Sequence, residues 1–382
     1  MSLLGPLTPA QFLAEHWQKK PLLVRQAIPG FRGFLKPADL LRLSTRDDVA
    51  ARAVTDTGQK GARRFRLDEG PFKNTDVKRV PADRWTLLVQ GIEQHFDAGW
   101  ELLQRFNFLP NARVDDLMVS WARPGGSVGP HYDLYDVFLL QGTGRRRWQI
   151  STDGDLDCDD DADVRVLTRF KPSADWVLEP GDMLYLPPNV GHFGVAEALK
   201  DANDEDCMTW SIGFSAPTNE QLAHNFLAFL GMEAKGEGIY EDPDLTLQAR
   251  PADVVDATVA RVERALEELR WDRERVATFT GRLLTGPKDS VVFAEPKKPV
   301  DVDAFARRLA QPGTLKLARG SRMLFRGERV FLNGEEHPVK GAFKTAMQLL
   351  ADTRATALPI KIDDDEAALL HGLYVRGFIV IA

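Results

Sequence analysis

The segment Gly125-Gly-Ser-Val-Gly-Pro-His131-Tyr-Asp133 is the most informative part of the sequence, because it joins a glycine-rich turn to a His-x-Asp pair. Side chains two residues apart on a strand point the same way, so a strand end here would aim His131 and Asp133 at one place. A second histidine, His192, follows another turn and strand, Glu179-Pro-Gly-Asp182 and then Met-Leu-Tyr-Leu. The two segments predict opposite walls of a small β-barrel whose mouth holds a cofactor.

Two imidazoles and one carboxylate form a distinctive set of metal ligands. When they bind one face of a metal, other positions stay open, as non-haem iron needs in order to bind a keto acid and then dioxygen. A structural zinc site would instead be closed and often rich in thiolates. We therefore predict that His131, Asp133 and His192 bind iron(II). The alternative is a pair of hydrogen-bonded histidines inside a β core.

A keto-acid cosubstrate requires a cation for its distal carboxylate, preferably the planar guanidinium of an arginine. Arg145-Arg-Arg147 follows the Gly142-Thr-Gly144 turn and offers three candidates. Strand alternation would place Arg146 on one face and its two neighbours on the other, but a one-residue shift of register reverses the assignment. The turn is not a dinucleotide fingerprint, because the third glycine position is Arg147 and a strand-like segment follows it.

The run from Asp116 to Ser120 predicts a further wall of the pocket. Strand alternation places Asp116, Met118 and Ser120 on one face. A buried carboxylate such as Asp116 is costly unless it is paired, so a cationic substrate side chain would be a suitable partner. Tyr135 follows Asp133 on the same alternation and could help to hold that side chain. An ordinary structural role is the alternative for Asp116 and for Tyr135.

The composition is that of a globular protein. Of the 382 residues, 43% are hydrophobic and 27% charged, so we expect two or three domains. Because no apolar run is long enough for a membrane span, the first residues do not resemble a signal peptide and only two cysteines occur, we expect a cytoplasmic protein. The net charge of −7 disfavours non-specific binding to nucleic acid. The segment from Pro296 onward, with 14 Lys plus Arg against 10 Asp plus Glu, could still touch nucleic acid.

The periodicity changes from β to helical along the chain. Thr8, Pro9 and Gln11 predict a capped helix near the N-terminus, and the segment 117–214 predicts mostly strands. After Pro217 the pattern becomes helical and begins with a second capping box at Thr218. A later helix is predicted from a narrow apolar seam formed by Val255, Val259, Val262, Leu266 and Leu269. This seam would cover either the core of its own domain or a dimer interface.

A third unit follows a predicted linker, Glu295-Pro-Lys-Lys-Pro-Val300, whose prolines resist helix and sheet pairing. The segment 323–332 predicts a hairpin, 343–351 and 366–375 predict helices, and 378–382 predicts a closing strand. This mixture is typical of a small winged-helix-like domain. The acidic run 153–163 lacks the glycine and the glutamate that a calcium loop requires, so we interpret it as a solvated loop.

Taken together, these motifs resemble the JmjC-type ribosomal oxygenases of bacteria over nearly the whole chain. The most specific are Phe12-Leu-Ala-Glu-His-Trp-Gln-Lys-Lys-Pro-Leu-Leu-Val24, Gly129-Pro-His-Tyr-Asp133, Tyr135-Asp-Val-Phe138, Gln141-Gly-Thr-Gly-Arg-Arg-Arg-Trp148 and Glu179-Pro-Gly-Asp182. The resemblance implies an α+β fold in which a double-stranded β-helix (JmjC/cupin) barrel with N-terminal helices occupies residues 1–217. A helical dimerisation region over 218–294 and a winged helix over 295–382 would follow, in a homodimer.

The same resemblance implies hydroxylation of the β-carbon of an arginine in a large-subunit ribosomal protein, with iron(II) and 2-oxoglutarate as cofactors. The residues implied are the iron ligands His131, Asp133 and His192, the cosubstrate contacts Arg146 and Ser120, and the substrate contacts Asp116, Tyr135 and Ser211. The segment Phe193-Gly-Val195 departs from the pattern at a place where family members vary, which leaves the substrate open.

Two other functions are compatible with the sequence. The same metal site could hydroxylate a histidine or a lysine in another protein, and the charge of the pocket distinguishes these, because a pocket containing Asp116 favours a cation. A non-enzymatic alternative is a transcription regulator, in which the barrel senses a ligand and the winged helix binds DNA. Salt-sensitive DNA affinity without turnover of 2-oxoglutarate would indicate that function.

Overall fold

A computed structural model of the chain describes residues 3–61, 64–73, 75–76, 79–198, 206–233, 241–267, 270–288 and 290–382. The N-terminal part contains, in order, α1 (Pro9–Glu15), β1 (Leu22–Val24), α2 (Pro37–Leu43), β2 (Ala51–Asp56), β3 (Phe65–Glu69), β4 (Trp85–Val89) and α3 (Asp97–Leu103). The predicted cap of α1 is confirmed, since the Thr8 hydroxyl accepts the backbone N–H of Gln11 and Pro9 occupies the first helical turn.

The barrel is formed by β5 (Val114–Ala122), β6 (Asp136–Thr143), β7 (Arg146–Ser151), β8 (Ala174–Leu178), β9 (Met183–Leu186), β10 (Gly191–Ala196) and β11 (Cys207–Phe214). A large sheet runs in the order β1-β9-β6-β11-β5-β4-β2-β3, and a smaller sheet in the order β10-β7-β8. Their inner faces meet across buried apolar side chains such as Leu139, Trp148 and Leu178. This confirms the predicted double-stranded β-helix, which β2, β3 and β4 extend at one edge.

The outer face of the large sheet is covered by the N-terminal helices. Phe12 of α1 packs against Phe138 and Tyr185, and each of these three side chains is fully buried. Trp210 is also fully buried because two glycines leave room for its ring. A Cβ atom at Gly33 would lie 2.4 Å from the ring, and one at Gly142 would lie 2.6 Å from it.

The helical region contains α4 (Asn219–Glu233), α5 (Asp256–Leu266) and α6 (Arg273–Thr285), so helices form where the sequence predicts them. The predicted apolar seam lies on α5, which has no buried residue. Val259 and Val262 are each 44% exposed and Leu266 is 56% exposed, so within the described part of the chain this seam does not cover a core. Leu269 lies outside the described residues.

The C-terminal elements are α7 (Val302–Leu309), β12 (Gly313–Leu317), β13 (Met323–Arg326), β14 (Arg329–Leu332), β15 (Glu335–Pro338), α8 (Gly341–Thr353), β16 (Ala355–Leu358), α9 (Asp364–Val375) and β17 (Ile379–Ile381). They confirm the predicted hairpin, helices and closing strand. A separate hydrophobic core includes the fully buried side chains of Phe305, Phe343 and Leu370. α6 packs against β13, β14 and β15, so we refer to residues 270–382 as the C-terminal unit.

The C-terminal unit is docked against the barrel domain. The guanidinium of Arg354 lies 3.6 Å above the ring of Trp100. The indole N–H of Trp100 donates to the carbonyl of Arg319 at 2.9 Å, and the Arg319 guanidinium binds Asp97 at 2.6 Å. Burial lowers the pKa of Arg354 to about 9. Direct hydrogen bonds across this boundary therefore join the two parts of the molecule.

Candidate active site

The predicted metal ligands come together at the mouth of the barrel. Single ligand atoms of His131, Asp133 and His192 all lie within 4.8 Å of one another. The Nε2 atom of His192 is 3.6 Å from a carboxylate oxygen of Asp133, and the two imidazole rings are 4.2 Å apart. The two histidines also form a backbone bridge, in which each N–H donates to the carbonyl of the other at 2.9 and 2.7 Å.

Hydrogen bonds orient both imidazoles toward the same point. Nδ1 of His131 lies 2.9 Å from the Gly129 carbonyl, and Nδ1 of His192 lies 2.9 Å from the Val190 carbonyl. Because a carbonyl only accepts, each Nδ1 carries the proton and each Nε2 is free to bind a metal. Burial, together with the nearby His131, lowers the pKa of His192 to about 4, so this ring is neutral as metal binding requires.

Glycine is required at position 129. Gly129 has φ +83°, and a Cβ atom there would lie 2.6 Å from Val166 and 2.8 Å from Phe65. A larger residue would displace the carbonyl that orients His131. The glycine-rich turn in the sequence therefore has a specific purpose, which is to bring backbone close to the first ligand.

The smaller sheet supplies a buried cation beside the metal ligands. Arg146 on β7 is 5% exposed, and its Nε donates to the Cys207 thiol at 3.4 Å. Its Nη2 is buried and has no hydrogen-bond partner among the described residues. Arg147, the next residue, points to the surface and binds Asp175 at 2.6 Å. Strand alternation alone leaves open which of the three arginines faces the cavity. In the structure, Arg146 lies on the inner face and Arg147 on the outer face.

These residues fit the cofactors that the sequence predicts. A buried guanidinium nitrogen without a partner is costly, and a carboxylate of a bound keto acid would supply the missing acceptor. Ser120 on β5 is buried and lines the same cavity as Arg146 and the ligand triad. Two imidazoles and one carboxylate are a donor set suited to iron(II), so the residues present can hold both groups.

The remaining predicted residues line the other side of this cavity, whose volume is about 90 Å³. Asp116 and Ser211 come from neighbouring strands of the large sheet, and Tyr135 precedes β6. Burial raises the pKa of the Asp116 carboxyl, and burial also raises the pKa of the Tyr135 phenol. No side-chain cation lies within ion-pair distance of Asp116 in the described part of the chain. The structure therefore brings all eight predicted site residues to one cavity.

Three further polar residues of the cavity lie on, or directly after, strands that the sequence analysis did not identify. Arg52 lies on β2, Thr86 lies on β4, and Gln90 follows β4. The apolar run Trp85-Thr-Leu-Leu-Val89 is a signal for a buried strand, and an alternation of apolar residues marks β2. Neither pattern indicates that these strands pair next to β5 and so reach the metal site.

Comparison with known families identifies two matched segments. Residues 101–222 match the family described as JmjC domain. Residues 268–378 match the family described as ROXA-like winged helix. The second match begins within the segment that we predict as a dimerisation region and includes α6. No helix among the described residues is both long enough and apolar enough to cross a membrane.

Two bacterial proteins are similar in sequence. The ribosomal protein uL16 3-hydroxylase of Escherichia coli is 32% identical over 374 residues, which are 96% of this chain and 96% of that protein. A probable ribosomal oxygenase of Haemophilus influenzae is 37% identical over 244 residues, covering 63% of this chain and 56% of that protein. The first match extends through the barrel, the helical region and the C-terminal unit.

Solved structures of the E. coli ribosomal oxygenase YcfD have the same fold. An X-ray structure gives a TM-score of 0.83 at 31% identity and covers 100% of both chains. A complex of YcfD with cobalt and 2-oxoglutarate gives a TM-score of 0.80 at 31% identity and covers 98% of each chain. The likeness therefore includes a complex with cobalt and the predicted cosubstrate.

Proposed function

The chain belongs to the JmjC-domain ribosomal oxygenases, and from this membership we propose that it hydroxylates an arginine side chain of a ribosomal protein. It is a 2-oxoglutarate-dependent oxygenase that uses iron(II). We propose that the hydroxyl group is added at the β-carbon of this arginine. Ribosomal protein uL16 is the substrate to test first, since the E. coli relative is named for it.

The buried carboxylate of Asp116 is the observation that carries this proposal. Asp116 is 8% exposed and lines the same cavity as the ligand triad. A carboxylate that is buried without a side-chain cation is stabilised by a cationic guest. The aromatic ring of Tyr135 lines the cavity as well, and a flat aromatic face suits a planar guanidinium better than a compact ammonium.

We propose that each side chain in the cavity holds one partner. His131, Asp133 and His192 hold iron(II), while Arg146 and Ser120 hold the distal carboxylate of 2-oxoglutarate. Asp116, Tyr135 and Ser211 hold the substrate guanidinium. The chemistry that iron(II) and 2-oxoglutarate would supply when bound is use of dioxygen, with one oxygen atom going to the succinate formed as 2-oxoglutarate loses CO₂ and the other into a substrate C–H bond. The residues of the chain orient that bond and limit the access of water.

Peptide hydroxylation tests the proposal directly. The protein is incubated with iron(II), 2-oxoglutarate and arginine-containing peptides of uL16, and succinate and peptide mass are measured. We expect one peptide to become heavier by one oxygen atom, with fragmentation placing that atom on an arginine. His192→Ala should abolish the product, whereas His224→Ala, at an exposed position of α4, should not. Modification of a histidine or lysine instead would contradict the arginine assignment.

We also propose that residues 218–294 mediate a homodimer and that the domains are divided as the sequence predicts. The exposed seam of Val259, Val262 and Leu266 on α5 supports the dimer, because an apolar stripe of this kind is usually covered. Sedimentation equilibrium of the Val262→Glu variant tests it. A dimer for the unsubstituted protein and a monomer for the variant are expected, and a monomeric unsubstituted protein would refute the proposal.

A further inference from the structure

The N-terminal end of β5 carries two adjacent carboxylates, and the C-terminal unit contacts it directly. Lys288, which follows α6, places its ammonium 2.8 Å from a carboxylate oxygen of Asp115. Arg322, which precedes β13, donates from its guanidinium to the backbone carbonyl of the same residue at 2.5 Å. Residues of the C-terminal unit therefore bind both the side chain and the backbone of Asp115 at this strand end.

Asp116 is the next residue and belongs to the substrate side of the active-site cavity. It also lines a second cavity of about 60 Å³, whose wall includes Lys288 and Ser290. Asp116 and Lys288 thus share one small space. Burial is the largest influence on the Asp116 carboxyl and raises its pKa, and the nearby cations Lys288 and Arg322 oppose that shift.

Glu93 and Arg354 form a second connection between the start of β5 and the C-terminal unit. The carboxyl of Glu93 is buried and accepts the backbone N–H of Leu117 at 3.0 Å. Arg354 of the C-terminal unit attracts Glu93 electrostatically and donates to the carbonyls of Ser321 and Ala318 at 2.9 and 2.7 Å. The first residues of β5 consequently depend on the C-terminal unit for their position and for their electrostatic environment.

We propose that Lys288 is a positioning residue of the substrate site, which fixes Asp115 and thereby holds the adjacent Asp116 in place for a cationic side chain. The C-terminal unit is then a part of the substrate pocket rather than an appended domain. This inference rests on the proposed function, in which Asp116 binds the substrate arginine. It adds a determinant of specificity from outside the barrel.

Steady-state kinetics with the arginine peptide test this role in the full-length protein. Lys288→Met should raise the KM for the peptide by roughly two- to fivefold, as expected for loss of a partly exposed ion pair. The kcat at saturating peptide and the KM for 2-oxoglutarate should stay unchanged, because Lys288 touches neither the metal ligands nor Arg146. Lys288→Arg, which keeps the positive charge, should have a KM for the peptide close to that of the unsubstituted protein.

The matched control is Lys298→Met, which removes an exposed lysine of the same unit and should leave every parameter unchanged. Asp115→Asn should reproduce the effect of Lys288→Met, and the double variant should be no worse than either single one. A merely structural role would instead lower kcat and thermal stability together, and that result would overturn the inference.

Failure of the proposed function has a different signature. In that case the unsubstituted protein would leave the arginine peptide unmodified, and both proposals would fall. If the unsubstituted protein hydroxylates the peptide and Lys288→Met has the same peptide KM, the positioning role alone is refuted.

Discussion

Replacement of Arg146 by methionine should separate ligand binding from stability. The buried guanidinium has one nitrogen, Nη2, without a hydrogen-bond partner in the described structure, and an unsatisfied buried polar group typically costs about 1–3 kcal/mol. Methionine keeps most of the side-chain length and removes that cost. Arg146→Met should therefore leave the free energy of unfolding without 2-oxoglutarate unchanged or raise it by about 1 kcal/mol. Most substitutions at buried positions do the opposite.

Binding of 2-oxoglutarate should weaken strongly in the same variant. Hydrogen bonds to charged groups contribute about 1.5–3 kcal/mol, so the Kd should rise roughly 10- to 150-fold. Because a ligand at free concentration c stabilises the folded state by RT ln(1 + c/Kd), a higher Kd should largely remove the increase in Tm caused by 2-oxoglutarate. Calorimetric titration and thermal unfolding, both with manganese(II) in place of iron and without oxygen, measure these quantities.

Arg147→Met is the matched control, since Arg147 is the next residue on the same strand but is exposed and binds Asp175. It should keep the wild-type Kd and lose at most about 1 kcal/mol of stability. An Arg146→Met protein that retains wild-type affinity for 2-oxoglutarate would refute the reasoning, because another cation would then hold the cosubstrate. A loss of more than about 2 kcal/mol of stability would show that the guanidinium is satisfied in the free protein.

Three other predictions follow from single contacts. Asp133→Ala should remove stoichiometric binding of manganese(II) while the protein stays folded, and metal analysis after gel filtration would contradict this if one equivalent remained. Glu93→Gln should flatten the pH dependence of the free energy of unfolding, because burial raises the pKa of Glu93 to about 7. The contribution of Glu93 to stability is fully present below about pH 4.5. It is lost as the pH rises toward 7, by up to about 3 kcal/mol. Denaturant titrations at several pH values would disprove this if both proteins changed in parallel. Gly142→Ala should lower the free energy of unfolding by about 1–3 kcal/mol, because the added Cβ would lie 2.6 Å from Trp210. The control is Gly231→Ala in α4, where a Cβ meets no atom within 4 Å and should not destabilise the protein. Equal unfolding midpoints for the two variants would exclude the clash.

The metal ligands could be predicted because their signals are local. His131 and Asp133 stand two residues apart beside a glycine turn, and His192 follows a turn of similar type. The strand end predicted for the first pair does not form, because His131 makes only an isolated bridge to His192 and Asp133 lies in the connection before β6. Strand periodicity does hold for Asp116 and Ser120, which share one face of β5 and both line the cavity. Local periodicity is a reliable guide where one strand contributes the residues.

Residues that depend on strand order could not be predicted in this way. Arg52 and Gln90 reach the cavity because β4 pairs with β5 and β2 pairs with β4, which is a long-range choice with no local signature. The ion pair between Lys288 and Asp115 joins parts of the chain that are far apart in sequence. Either residue alone would be interpreted as an ordinary surface charge, and docking of the C-terminal unit is what brings them together.

The backbone bridge between His131 and His192 has a consequence for metal selectivity. The two imidazoles lose their conformational entropy when the barrel folds, so a metal that fits does not have to order them on binding. A metal that prefers another ligand geometry would have to stretch the two hydrogen bonds of this bridge to obtain it. Selectivity is then enforced by the rigidity of this bridge as well as by the donor atoms, and any change that loosens the bridge should broaden the range of metals bound.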